Sequence, residues 1–199
     1  IIISVVVGVV LTLPISSAAI CAAVGISGGA VLAGVLDGSI SMGVWNGLAL
    51  AGGAATVGCC CNMLGFAVIS YPDNGVGGLV AQGLGTSMLQ VPNLMRKPIL
   101  WIPSVLTSAI LGPVATCIFQ LRNNGAAISS GMGTAGLVGP IGIITGWSNM
   151  PEGYAVGAFD WLGMILVCFV LPVLLSWAIG KFMRKKGWIK EGDLKVDLG

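Results

Sequence analysis

The amino-acid sequence predicts an all-α fold, a polytopic transmembrane helix bundle with two re-entrant glycine-rich loops that form an inverted repeat. Three observations lead to this prediction. Only 8% of the residues are charged, whereas a soluble domain carries about a quarter. Several apolar runs reach the roughly 20 residues that cross a bilayer. Two glycine-rich segments share one motif at the same spacing.

The composition fits a lipid environment. Of the 199 residues, 56% are hydrophobic, so too few charges remain to build a surface that faces water. The 32 glycines lie mostly inside apolar runs beside Ala, Ser and Thr, where small residues let transmembrane helices approach closely. The lipid bilayer is therefore an expected partner. The formal charge of +2 comes mostly from the C-terminal region, and this local asymmetry does not indicate nucleic-acid binding.

The apolar runs define the candidate spans. Residues 1–24 carry Pro14 and are expected to form a kinked or broken span. Residues 26–37 form either a half-span or a tight connection, and residues 39–71 are expected to form one tilted span.

Two more spans are predicted at residues 99–120 and 161–180. Between the spans lie residues 71–98 and 122–151, which we call the first and second glycine-rich segments. Both are too polar to cross the bilayer as lipid-facing helices.

The predicted domain organisation is a transmembrane domain over residues 1–190 and a polar cytoplasmic tail over residues 191–199. The chain starts at Ile1 inside an apolar run without a charged n-region, so we expect the C-terminal part of a longer protein rather than a signal peptide. Basic residues between 181 and 190 place the C-terminus in the cytoplasm, because short basic loops stay inside. The Arg96-Lys97 pair falls on the same side, and Arg122 falls outside.

An internal repeat relates the two glycine-rich segments. Both read N-G, then G-x-G-T-x-x-L, then P, and the first Gly of G-x-G-T precedes the Pro by nine positions in each copy. The copies are Asn74-Gly75, Gly83-Leu84-Gly85-Thr86 and Pro92, and Asn124-Gly125, Gly131-Met132-Gly133-Thr134 and Pro140. One span separates them, so they would enter from opposite faces, as in carriers with midplane sites. The alternative is that both are surface loops and the repeat is a relic of duplication.

The candidate solute-binding residues are the amides and hydroxyls of the two segments. They are Asn74, Gln82, Thr86, Ser87, Gln90, Asn93, Asn123, Asn124, Ser129, Ser130 and Thr134. Such groups suit a polyol, a sugar or another neutral solute. An anion held by backbone N–H groups stays an alternative. Asp37 is either an interfacial turn residue or a coupling or solute-binding residue.

Catalytic, metal and cofactor chemistry is not expected. The sequence contains no histidine, and five of the six cysteines lie in strongly apolar runs, where free thiols usually pack as small apolar groups. The Cys59-Cys60-Cys61 triplet cannot converge on one metal, because consecutive helical residues point about 100° apart. We therefore expect no catalytic residue, no metal ligand and no cofactor.

Three stretches resemble a known family. They are the run from Gly83 to Asn93, residues 99–114, and the run from Gly131 to Gly139. They are similar to the second type of enzyme IIC domain of the phosphotransferase system, which includes permeases and regulators of the PfoR type. The resemblance implies a bacterial inner-membrane, multi-pass protein related to sugar permeases, working as a homodimer with cytosolic phosphorylating subunits. Sugar-transporting members commonly place Glu or His at the sugar, and this chain has neither at membrane depth.

Three functions are compatible with these observations. The first is a permease of the enzyme IIC type that binds and translocates a sugar or a similar small polar solute. The alternative is a membrane sensor or regulator that binds a solute without transporting it. A channel-like or structural subunit is a third.

Overall fold

The computed structural model describes residues 42–125, 127–148, 150–151 and 154–196, and every regular element within these ranges is helical. The all-α prediction is confirmed for this part of the chain. The spans predicted at residues 1–24 and 26–37, together with Asp37, lie outside the described residues.

Eight α-helices follow one another along the described chain. They are α1 (Met42–Ile69), α2 (Tyr71–Val80), α3 (Val91–Arg96), α4 (Ile102–Pro113), α5 (Ala127–Met132), α6 (Val138–Trp147), α7 (Ala158–Ile165) and α8 (Leu171–Lys185). Short 3-10 turns lie at Ser87–Gln90, Pro98–Trp101 and Ala135–Leu137. Wider π-helical turns lie at Ala81–Gly85, Val114–Ile118 and Leu166–Val170.

Three continuous helical stretches are long and apolar enough to cross a membrane. They are Trp45–Ile69, Pro98–Ile118 and Ala158–Lys185. They agree with the spans predicted at residues 39–71, 99–120 and 161–180. The last one continues five residues further than predicted, because Lys181 to Lys185 extend α8 as a basic final turn, which the negative end of the helix dipole favours.

Helix α1 is the centre of the described bundle, with α4 and α8 packed along it. Its small residues permit the close approach. A methyl group added at Gly65 would lie 2.9 Å from Ser176 Oγ of α8 and 3.0 Å from Ser104 Oγ of α4. Ser176 Oγ also donates to Thr107 Oγ1 at 3.1 Å. The three long stretches are thus joined by small and hydroxyl side chains, as transmembrane helices commonly are.

The two glycine-rich segments are more helical than predicted. We expected irregular backbone, and the structure instead breaks each segment into short helical pieces. The physical reason is that backbone N–H and C=O groups among apolar neighbours must be paired internally. Residues 121–124 have no regular secondary structure, and there Asn123 N–H donates to Ala49 O of α1 at 2.9 Å.

The close approach at Gly53 gives a stability prediction. A methyl group at Gly53 would collide with the backbone carbonyl of Leu121. Gly53→Ala should therefore lower the free energy of unfolding by about 1–3 kcal/mol through overpacking. Gly47→Ala is the matched control, because Gly47 is on the same helix with open space around it. It should be neutral or stabilising by up to about 1 kcal/mol.

The measurement is thermal unfolding of the purified protein in detergent. Equal midpoints for the two alanine variants would show that the approach of residues 121–123 to α1 does not limit stability.

Candidate functional site

The second glycine-rich segment folds into a helical hairpin made of α5 and α6. Glycines bring the two arms into contact. A Cβ atom added at Gly142 would collide with Ser129. A Cβ atom added at Gly146 would lie 2.6 Å from Gly125 N. The first arm begins near the start of α1, where Asn123 N–H donates to Ala49 O and Asn124 Oδ1 accepts from Trp45 Nε1. We call this end of α1 the Trp45 end.

The turn of this hairpin lies against the middle of α1. Gly133 has a φ of +53°, and a methyl group there would lie 2.7 Å from the carbonyl carbon of Cys59. Both the positive φ and the close approach require glycine. At 1.5 Å per residue, Cys59 is about 20 Å along the axis from Trp45 and about 15 Å from Ile69. The second G-x-G-T motif thus lies deep within the candidate span.

The first glycine-rich segment contacts the C-terminal half of α1. A methyl group at Gly83 would lie 3.4 Å from Ala67 Cβ. Ser87 Oγ accepts a hydrogen bond from Asn62 Nδ2 at 3.0 Å. Both arms of this segment bond to the C-terminal residues, as described below, so they lie at one end of the bundle. We call it the tail end.

The two copies of the repeated motif touch each other. Thr134 Oγ1, in the second copy, donates to the backbone carbonyl of Gly83, in the first copy, at 2.6 Å. Both residues are buried. The turns at Ala81–Gly85 and Ala135–Leu137 are packed against each other. This contact joins parts of the chain that are 51 positions apart.

Polar side chains form one cluster toward the Trp45 end, which we call the asparagine–serine cluster (Thr56, Asn123, Ser129 and Ser130). Asn123 Nδ2 donates to Thr56 Oγ1 at 2.8 Å, to Ser129 Oγ at 3.1 Å and to Ser130 Oγ at 3.3 Å. Its Oδ1 accepts from Gly125 N–H at 3.1 Å. Nearby, Asn124 Oδ1 accepts from Trp45 Nε1 at 3.2 Å. These groups are neutral and mostly buried.

A second polar group at the tail end, which we call the amide cluster, consists of Asn74, Gln82, Gln90 and Asn93. Gln90 Nε2 donates to Gln82 Oε1 and to Leu194 O, both at 2.9 Å. Asn74 Nδ2 donates to Leu194 O at 2.7 Å, and Asn93 Nδ2 donates to Lys195 O at 2.9 Å. The amide cluster therefore binds the backbone of the C-terminal residues.

Ion pairs and apolar packing complete the attachment of these C-terminal residues. Lys97 Nζ pairs with Asp193, and Arg184 pairs with Asp73 at 2.8 Å. Leu194 is fully buried against a core that includes Phe66, Leu94, Leu100 and Met183. The predicted polar tail is thus a docked segment over its described residues.

The pKa of Asp193 is lower than its ordinary value. Burial raises this pKa, but hydrogen bonds from Lys97 and from Lys190 N–H, with the positive charges of both lysines, outweigh that effect. The ionised form of Asp193 is therefore favoured by tail docking.

The sequence-predicted residues thus fall into three groups. Asn74, Gln82, Gln90 and Asn93 meet at the tail end, while Asn123, Asn124, Ser129 and Ser130 meet toward the Trp45 end. Ser87 and Thr134 lie where the two motifs touch. Thr86 is exposed, and its hydroxyl caps the following turn by accepting from Met88 N–H at 3.2 Å.

Sequence reasoning about the two segments missed the contributions of α1 and of Ser70, which directly follows it. Thr56, Asn62 and Ser70 bond directly to predicted residues. The sequence did carry a signal for them, because polar residues next to or inside a predicted span are costly in lipid and commonly functional.

The chain was compared with known protein families. The family described as "Phosphotransferase system, EIIC" matches residues 1–196. Searches of curated proteins and of solved structures gave no match.

Docking of the tail gives a testable prediction about Gln90. Gln90→Ala removes the hydrogen bond to Leu194 O and the partner of Gln82 Oε1. We expect limited trypsin digestion at Lys190 to become faster by several-fold, because the tail opens more often. Met88→Ala is the control, since Met88 is on the same short turn with an exposed side chain. Equal cleavage rates in the two variants would contradict the role assigned to Gln90.

The lowered pKa of Asp193 gives a prediction about pH. A carboxyl group with a lowered pKa stabilises the docked state at pH above its ordinary value, which is 3.8 for Asp193, and this contribution is lost as the pH falls through the lowered pKa. Backbone amides of residues 190–196 should therefore exchange faster in Asp193→Asn than in the unmodified protein at neutral pH. Hydrogen exchange should show the difference vanishing in acid. A difference that persists in acid would contradict the pairing.

Proposed function

The chain belongs to the phosphotransferase system EIIC family, and from that membership we propose that it is a membrane permease of the enzyme IIC type. It would bind and translocate a sugar or a similar small polar solute. The observation that carries the proposal is the hydrogen bond from Thr134 to Gly83 O, which joins the two copies of the repeated motif deep in the bundle. Carriers build solute sites where two such broken segments meet.

In this proposal the two glycine-rich segments are re-entrant loops that form an inverted repeat. Three contacts support it. The arms of the first segment both bond to the docked tail. The arms of the second segment meet near Gly125 and Gly146. Their turns touch at Thr134 and Gly83. Two segments that enter from opposite ends and meet in the middle would form a solute path closed at each end.

The chemistry of the polar groups supports a neutral solute. The asparagine–serine cluster offers amide and hydroxyl groups, and the first segment offers Thr86 and Ser87. We propose that these residues, with Asn124 and Thr134, line the path. The amide cluster, which includes Asn74, Gln82 and Gln90, would close it at the tail end, because its hydrogen bonds hold the tail in place.

The proposed orientation places the tail end in the cytoplasm of a bacterium, with the protein in the inner membrane. The basic residues support this orientation. Lys97 and Arg184 are paired with acidic residues at the tail end. Lys181, Lys185 and Lys186 lie near Arg184, in the last turns of α8 or directly after it. Arg122 lies at the Trp45 end and bonds to Asn46 Oδ1. Basic residues concentrate on the cytoplasmic side of membrane proteins.

The proposed partners follow from the family. They are a second copy of the chain and cytosolic phosphorylating subunits, in addition to the bilayer. Ile102, Leu106 and Ile110 form an exposed apolar row along α4, which suits contact with lipid. The chain has no histidine, so phosphorylation of a solute would require those other subunits.

Flux through proteoliposomes tests the proposal. Reconstituted protein should release trapped radiolabelled sugar or polyol faster than empty vesicles do. Thr134→Val should reduce this flux strongly, because it removes the donor to Gly83 O and leaves a buried carbonyl unpaired at a cost of about 1–3 kcal/mol. Thr145→Val is the control, since the Thr145 hydroxyl donates to Gly142 O within its own helix, and it should keep most of the flux.

The outcomes separate the two functions. Solute binding without flux in the unmodified protein would favour the sensor or regulator. Equal flux in both valine variants would contradict a solute path at the touching motifs.

A further inference from the structure

We infer that Asn62 of α1 is a solute-binding residue, whose side-chain oxygen accepts a hydrogen bond from a hydroxyl group of the solute. This inference deepens the proposed function and rests on it. It favours a neutral, hydroxyl-bearing solute over the anionic alternative. Neither the repeated motif nor the family match assigns a role to Asn62, because Asn62 lies outside both glycine-rich segments.

The position of Asn62 is the first argument. Gly133 of the second motif touches α1 at Cys59 and Cys60, and Gly83 of the first motif touches it at Leu64 and Ala67. Asn62 lies on α1 between these two contacts. It is therefore at the level where the copies of the motif meet, and a solute held by both copies would pass this side chain.

The second argument is an unsatisfied atom. Asn62 is only 6% exposed, and its Nδ2 donates to Ser87 Oγ at 3.0 Å. Its Oδ1 is sealed from solvent and has no hydrogen-bond partner in the described part of the chain. Buried polar atoms are normally paired, and an unpaired one calls for an explanation.

The other buried amides near the two motifs differ from Asn62 in this respect. Gln82 Oε1 accepts from Gln90 Nε2 at 2.9 Å, and Asn123 Oδ1 accepts from Gly125 N–H at 3.1 Å. Two further buried atoms without partners, Trp101 Nε1 and Ser104 Oγ, belong to the second long stretch. They pack at the contacts between long helices. Asn62 Oδ1 is the unpaired atom beside the repeated motif.

The chemistry of this atom selects the solute. An amide oxygen only accepts hydrogen bonds, so it binds an O–H or N–H donor and repels the oxygens of an anion. A hydroxyl group on the solute would satisfy Oδ1 while Ser87 stays bonded to Nδ2. Ser87 follows the exposed residues Leu84, Gly85 and Thr86, so movement of one short turn would open Asn62 to the path.

Thermal stabilisation of the purified protein tests the inference. The probes are glucose, mannitol and uridine as hydroxyl-bearing compounds, and inorganic phosphate as the anion. A ligand that binds only the folded state raises the unfolding midpoint by mass action. We expect at least one hydroxyl-bearing probe, and not phosphate, to raise the midpoint of the unmodified protein. Asn62→Leu should weaken that binding by about tenfold or more.

The matched control is Asn46→Leu, the same substitution on the same helix. Asn46 Oδ1 accepts from Arg122 Nε at 2.7 Å, so its loss should lower the midpoint without ligand but leave the ligand response intact. Asn62→Leu should show the opposite pattern, with a midpoint near or above that of the unmodified protein and a lost response. A purely structural Asn62 would instead behave like Asn46.

The failures are distinguishable. An unmodified protein that responds to no probe would overturn the proposed function, and this inference with it. A response that survives in Asn62→Leu, or a large drop in its midpoint without ligand, would overturn the role of Asn62 alone. Stabilisation by phosphate only would overturn the assignment of a hydroxyl-bearing solute.

Discussion

The close approach of other backbone segments to α1 is the contact on which the rest of the structure depends. Gly53 lacks a side chain and so leaves room for the backbone at Leu121. Gly133 in the same way allows its own backbone to lie against the main chain of Cys59 and Cys60. An apolar environment has no water to satisfy peptide groups, so a broken segment can lie beside a span only where it is covered by protein. Helix α1 provides that cover for both glycine-rich segments.

This constraint also explains where the polar side chains lie. Once short helices replace one continuous helix, their ends leave N–H and C=O groups without partners inside the helix. Thr134 satisfies the carbonyl of Gly83, and Asn123 Oδ1 accepts from Gly125 N–H. Some of the polar residues of the segments therefore stabilise the fold directly. Any residue proposed to bind solute has to be judged by the hydrogen-bonding capacity that remains after these internal bonds.

Much of the fold could be predicted because apolar runs are a local signal. The candidate spans agree with the prediction to within a few residues, apart from the C-terminal extension of the last one, where basic residues continue a helix that hydropathy alone would end. The match between the two motifs could also be read directly from the sequence. What local patterns cannot show is pairing over long separations, and the bonds from Asn74 and Gln90 to Leu194 join residues more than 100 positions apart. Asn74, Gln90 and Asn93, three amides predicted to face a solute, were for this reason not recognised as ligands of the tail.

The two ends of the bundle are closed by different chemistry, although the segments share one motif. Toward the Trp45 end, Asn123 is held by hydroxyls of its own segment and by Thr56 of α1. At the tail end, the C-terminal residues are held by amides, by the Lys97–Asp193 ion pair, by the bond from Gly192 N–H to Asp73 and by the buried side chain of Leu194. Releasing the tail requires an apolar side chain and charged groups to return to water together. In the proposed permease, opening at the tail end therefore requires release of the docked tail, so a change in the tail can control it.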